Sequence, residues 1–273
     1  MLNDRPLWLI ARNVLRPVNY QALFRMRKVY ERPLDAAGRY FLGRGTYPCT
    51  IRVRTRAGWQ RIHLFNSHDA ITVHEIFCRG DYECPEPPQV VVDIGSNIGI
   101  SALYFLTESS STVCELYEPD PRNIEKLRAN LTGFEGRYEL HECAVSSEEG
   151  ILPFKREETG RYGGLQAAPP GHGPDPAPDE RAGSEVPGPE DILVEVVHIN
   201  SVIAEAVERH GDIDLLKVDT EGLELATVHA IDRALLGHVR RIVIEWFQSD
   251  VSLSGFTASS SGDTVTFVNS QRS

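Results

Sequence analysis

The stretch VVVDIGSNIG at 90–99 runs three valines into Asp93, then into Gly95 and Gly99, four positions apart. Such an arrangement can hold a small charged molecule. A glycine at 95 lets the chain turn without a Cβ, so a ligand can touch bare backbone. A helix beginning near Gly99 would aim unpaired N–H groups at a carboxylate, and Asp93 could accept from an ammonium or from loop amides. Ser96 and Asn97 complete the turn. Glu118, in LYEPD and followed by Pro119, lies 25 positions beyond Asp93, where a carboxylate can grasp both hydroxyls of a ribose. The pyrophosphate fingerprint G-x-G-x-x-G is missing its middle glycine. A ribose with an amino-acid tail and no pyrophosphate describes S-adenosylmethionine. Ala144 and Val145, following the next strand, are placed to flank the adenine, with Glu142 or Cys143 just before them.

A second set of groups could act on an acceptor. Asp219 closes the strand DLLKVD, Glu221 follows in the TEG turn, and Glu245 closes RIVIE. Carboxylates gathered at one sheet edge can raise one another's pKa and yield a base, or coordinate a divalent cation such as Mg. Methyl transfer from a sulfonium is an in-line displacement, which rewards positioning and a base for the hydroxyl proton. Asp219 is the expected base or orienting group, with Glu221, Glu245 and His198 as further catalytic candidates and His229 as an outside one. Lys217 would neutralise part of this charge as a structural ion pair. Glu75 and Tyr82, in HEIFCRGDY, are candidates for the rim of the acceptor pocket.

These groups need strand ends to hold them. From Val90 onward apolar runs alternate with glycine turns and helical stretches, the pattern of βα units and a parallel sheet. Strands are expected at 90–94, 113–118, 138–143, 192–198, 214–219, 241–247 and 265–269, and helices at about 98–107, 121–131, 200–209 and 223–236. Pro121 suits a first helical turn capped by Asp120. Residues 1–88 form a separate unit: a helical arm, strands at IRVRTR and WQRIHLF joined by Ala57-Gly58, and a helix ending at Gly80. CPEPPQ marks the boundary to a domain over 89–273. The segment 159–190, rich in Gly, Pro and acids, reads as an inserted loop, either a solvated spacer or a lid.

VVVDIGSNIGISALYF, YEPDPRNIEKLRANL, CAVSSEEG, and DLLKVDTEGLEL followed by IVIEWF together resemble the FkbM family of methyltransferases. The resemblance covers about 90–247. It implies a class I methyltransferase fold, a Rossmann-like α/β, seven-stranded, mostly parallel sheet with helices on both faces. It implies O-methylation of a hydroxyl on a sugar, glycoside, polyketide or other secondary metabolite, with natural product biosynthesis as the setting. One departure is His198-Ile199-Asn200, where the family carries a Thr-Leu-Asp-like stretch; others are the long insertion and the short segment after Phe247.

With a net charge of −11, 41% hydrophobic and 25% charged residues, the chain is unsuited to a nucleic-acid backbone, which requires a basic footprint. No apolar run approaches the ~20 residues of a membrane span. Five cysteines, odd in number and outside CxxC pairs, read as free thiols in a reducing cytosol, hence a cytoplasmic protein. The arm is a candidate homodimer contact. Two other functions use the same features: an NAD-dependent oxidoreductase on a similar sheet, and a non-catalytic binding protein of methyltransferase fold.

Overall fold

A computed structural model of the protein describes residues 17–156, 164–165, 191–246, 251–261 and 264–272. The arm before Pro17 and nearly all of the 159–190 insertion lie outside the described residues. The N-terminal extension begins with helices α1 (Pro17–Val29) and α2 (Pro33–Leu42), followed by the antiparallel hairpin β1 (Cys49–Thr55) and β2 (Gly58–Leu64). Helix α3 (Ser67–His74) starts from a capping box in which the Asn66 side chain takes the amides of His68 and Asp69. It widens into a π turn over Glu75–Arg79 that stops at Gly80, φ +81°.

The alternation expected from Val90 is present as β3 (Val90–Ile94), α4 (Ile100–Glu108), β4 (Val113–Tyr117), α5 (Pro121–Asn130) and β5 (Tyr138–His141). Pro121 opens α5 and Asp120 caps it, accepting from the Arg122 amide. The chain then builds β6 (Ala144–Ser146), β7 (Gly150–Lys155), β8 (Gly164–Leu165) and β9 (Ile192–His198), a second sheet of order β6-β9-β7-β8. It returns through α6 (Ile199–His210), β10 (Leu215–Val218), α7 (Glu224–His229), α8 (Arg233–Leu236), β11 (Arg241–Glu245), β12 (Phe256–Ser261) and β13 (Thr264–Asn269).

The main sheet has seven strands in the order β12-β13-β11-β10-β3-β4-β5. The five strands from β11 to the β5 edge are parallel, and the β12–β13 hairpin closes the other edge antiparallel. The expected strand at 192–198 forms, but in the second sheet, and Phe256–Ser261 supplies the seventh place. The helix expected over 223–236 is two helices, because Ile231 turns inward and Asp232, its amide held by Asn200 Oδ1, starts a new turn.

Strand alternation sorts side chains between two cores. Val91, Leu215 and Val243 face one that holds α4, α5 and the extension, including Met26, Val53, Ile62 and Ile76. Val92, Leu216, Ile242 and Ile244 face the other, with Ile199 and Ile203 of α6 and Phe267. The extension thus shares a core with the sheet, which brings its π turn to the sheet's carboxyl edge.

Candidate active site

The chain leaves β3 toward β4 and β5 on one side and returns at β10 on the other, so a topological switch point lies between β3 and β10. Open α/β sheets bind ligands there. After β3, Gly95 turns at φ +75°, and the amides of Gly95 and Ser96 both reach Tyr117 O at 3.0 Å. A Cβ on Gly95 would lie 1.9 Å from the backbone oxygen of Asp219. The neighbouring strand end, more than a ligand, therefore requires this glycine. Gly99, φ +81°, allows close approach to α5, where a Cβ would meet Leu127 Cγ at 3.0 Å; the contact is helix to helix.

Glu118 ends β4, is buried, and gives one carboxylate oxygen to each side of the turn. Oε2 accepts the Asn97 amide and Oε1 the Asp120 amide, both at 2.9 Å. Burial pushes its pKa up to about 7, with the Asp120 and Asn97 amides restraining the rise. Oε1 also accepts from Asn123 Nδ2 at 3.4 Å, so Oε2 is the oxygen that retains a further lone pair for a ligand hydroxyl. Glu118, Pro119, Asn97, Asn123, Asp219 and Thr220 line a cleft, open to solvent, whose other walls include Ile94, Ala144, Val145 and Phe154. Cys143 and Leu165 also border it. One end is acidic and amide-rich and the other apolar. A molecule with an adenine at one end and hydroxyls and a charged tail beyond it fits these residues.

A second cleft shares Gly95, Asn97, Asp219 and Glu221 with the first. Ser96 and Glu245 border it from the sheet, and Glu75, Arg79, Asp81 and Tyr82 from the extension. Glu75 and Tyr82, the residues expected at the rim of an acceptor pocket, both line this cleft. Arg79 and Asp81 are additions: Arg79 Nε donates to Asp81 Oδ1 at 2.6 Å and its NH1 lies 3.5 Å from Glu75. The RGDY order was visible, but only the π turn shows which way it faces. Two non-glycine residues at the shared wall, Asn97 (φ +48°) and Glu221 (φ +56°), hold left-handed backbone, a form of strain that concentrates at ligand sites. The Glu224 carboxylate fixes the second turn by accepting the Thr220 and Gly222 amides.

Several expected site residues stand elsewhere. Asp93 is fully buried and lines neither cleft; Ser101 donates to its Oδ2 at 2.6 Å and Lys217 Nζ lies 3.0 Å from Oδ1. Register explains this, since Lys217 pairs directly with Asp93 across β3 and β10. The lysine also lies 3.4 Å from Asp219. Burial alone would lower its pKa, but Asp93 and then Asp219 outweigh that and hold it well above the usual value. Gly99 lines neither cleft. The Ser96 hydroxyl is turned to Asp93 O. His198 caps α6, its Nδ1 accepting the Asn200 amide at 3.1 Å, and it borders neither cleft. A threonine hydroxyl at this place could accept the same amide. His229 faces Ser252.

The divalent-cation reading is not supported. Asp219, Glu221 and Glu245 do not bring their oxygens within 4.8 Å of one another; among the described residues Glu115, Glu139 and His141 alone do so. There the Glu115 oxygens already meet His141 at 2.8 Å, Arg209 at 3.0 Å and His210 at 2.7 Å, an ion-pair network.

A parallel sheet whose order switches between β3 and β10, with a cleft bordered by Glu118 and Ala144 at the switch and a second cleft sharing its wall, has the working parts of a class I, S-adenosylmethionine-dependent methyltransferase. The family model described as the methyltransferase FkbM domain matches residues 93–262, and the chain belongs to that family. Methyltransferase sdnD of Sordaria araneosa is 29% identical over 64% of this chain and 73% of its own length. The 31-O-demethyl-FK506 methyltransferase FkbM of Streptomyces tacrolimicus is 27% identical over 68% of this chain and 75% of its own. A solved methyltransferase FkbM from Methylobacillus flagellatus KT aligns with a TM-score of 0.40 and 18% identity, over 63% of this chain and 36% of that one. Family membership leaves the oxidoreductase and the non-catalytic readings without support. No helix of the described residues is long and apolar enough to cross a membrane.

Proposed function

We propose that the chain transfers a methyl group from S-adenosylmethionine to a hydroxyl of a small molecule, such as a sugar, glycoside, polyketide or other secondary metabolite. The observation that carries this reading is the wall shared by the two clefts, where Gly95, Asn97, Asp219 and Glu221 border both. The relative named for 31-O-demethyl-FK506 supports a hydroxyl as acceptor.

In this reading Glu118 accepts from the ribose hydroxyls, Asn97 and Thr220 border the amino-acid tail, and Ala144, Val145 and Phe154 enclose the adenine. The bound cofactor supplies an electrophilic methyl on a positively charged sulfur. Asp219 stands between the clefts, its side chain 25% exposed, and takes or orients the acceptor's proton. Lys217, anchored by Asp93, fixes the carboxylate of Asp219 from behind. Glu245 and Glu221 add negative charge along the acceptor cleft, which favours neutral or cationic acceptors over phosphorylated ones. In-line alignment of acceptor oxygen and methyl carbon supplies much of the acceleration, and removal of the hydroxyl proton the rest.

The test combines calorimetry with S-adenosylhomocysteine and a labelled-methyl assay on a panel of hydroxyl acceptors. Asp219→Asn is expected to bind cofactor as the wild type does and to lose turnover; undiminished turnover removes the base role. Turnover is expected to survive EDTA. Absence of any adenosyl binding to the wild type would overturn the whole reading.

A further inference from the structure

The chain's charge is unevenly placed. Residues 17–66 hold ten of its 28 lysines and arginines but only two of its 39 acids. The same segment holds Leu23, Phe24, Leu34, Phe41, Leu42 and Trp59, six of the eight large apolar side chains exposed among the described residues. Part of this set converges in space: Trp59 shares a groove with three of the cations, and Phe24 lies beside Lys28. Arg27 and Lys28 at the end of α1, Pro33 at the start of α2, and Arg54 and Trp59 of the hairpin line one open groove.

The outer face of the hairpin sets Arg52 opposite Arg61 and Arg54 opposite Trp59. Like charges directly across a strand pair destabilise it, so folding alone does not favour this face. Arg52 is matched by Glu31 at 2.5 Å and lies over the Trp59 ring at 5.7 Å. Arg27, Lys28, Arg54 and Arg61 have no carboxylate partner among the described residues. Lys28 lies over the Phe24 ring at 5.4 Å, so cation and apolar ring stand side by side.

We propose that this face docks the enzyme peripherally on an anionic lipid bilayer. Charge complementarity draws arginines and lysines to acidic headgroups. Exposed Trp, Phe and Leu beside them suit the boundary between headgroups and acyl chains, where amphipathic rings settle. A nucleic acid would use the cations but not Leu34, which is 89% exposed. The acidic clefts lie on residues of opposite charge character, so a bilayer attracted to the basic face is not attracted to the active site.

The full chain is mixed with sedimentable vesicles of phosphatidylcholine alone, or with about a third phosphatidylglycerol. Co-sedimentation is expected with the acidic vesicles only, weakening as salt is added. Arg27→Glu combined with Arg54→Glu is expected to lose at least about twentyfold in vesicle affinity, from roughly fivefold per cation removed. Phe24→Ser with Trp59→Ser is expected to weaken it further, and both variants to bind S-adenosylhomocysteine as the wild type does. No recruitment, or recruitment of the charge-reversed protein as strong as wild type, overturns the proposal. So does binding to heparin as tight as to vesicles and indifferent to Phe24 and Trp59, which would assign the face to an acidic polymer.

Discussion

Replacing Glu118 by Gln probes the ribose contact through pH. Burial pushes this carboxyl up to about 7, so near neutrality the free protein mixes acid and carboxylate. Ribose hydroxyls donate to the carboxylate, and nucleoside binding therefore selects the ionised form. By linkage, the affinity for S-adenosylhomocysteine at about pH 6 should be roughly tenfold below its plateau above about pH 8. Calorimetric titration across that range measures it. Glu118→Gln keeps the size and one acceptor oxygen but cannot ionise. It should give a flat profile, lying below the wild-type plateau by about 1.5–3 kcal/mol, or about 10- to 150-fold. The stability of the apo protein should show the opposite trend. A carboxyl raised in the fold contributes stability that is complete below its unfolded value and is lost as pH rises through about 7. From the model value of 4.5 to about 7, ionisation removes roughly 3 kcal/mol, which bound S-adenosylhomocysteine should restore. A wild-type affinity flat across neutrality, or a Gln variant that follows the wild-type curve, would refute this reasoning.

Other substitutions separate structural from chemical roles. Lys217→Met strands the buried Asp93 carboxylate and should cost about 3–5 kcal/mol in denaturant titration; a near-neutral result would mean that Asp93 finds another partner. Gly95→Ala sets a Cβ against the Asp219 carbonyl at positive φ, and is expected to lose at least about 2 kcal/mol of stability together with adenosyl binding. His198→Ala should lose about 1 kcal/mol of stability by uncapping α6 and leave turnover intact, with His198→Thr restoring the loss; a drop in turnover at full stability would return His198 to the chemistry.

Much of the frame was legible in local pattern. Val90–Ile94 reads as a central strand because its apolar side chains must be covered on both faces, and Pro121 after Asp120 announces a helix start whatever surrounds it. The acids Glu118 and Asp219 are legible as strand-end groups, since a strand's end on a parallel sheet is an exposed edge. The Asp93 reading failed because a sequence gives no register. Only pairing of β3 with β10 sets Lys217 beside Asp93 and turns a ligand-facing carboxylate into a buried anchor. His198 reads as a base because imidazole chemistry is ambiguous until its neighbour is known, and in the fold its Nδ1 accepts the Asn200 amide.

The sequence by itself determined most strands and helices of the main sheet and that glycines and acids punctuate the strand ends, because those preferences act over a few residues. The tertiary structure alone decided which acids share a cavity, that Arg79 and Asp81 turn toward it, and that a basic, apolar face gathers on the extension. These depend on contacts between residues far apart in the chain, and packing and strand register are properties of the folded whole.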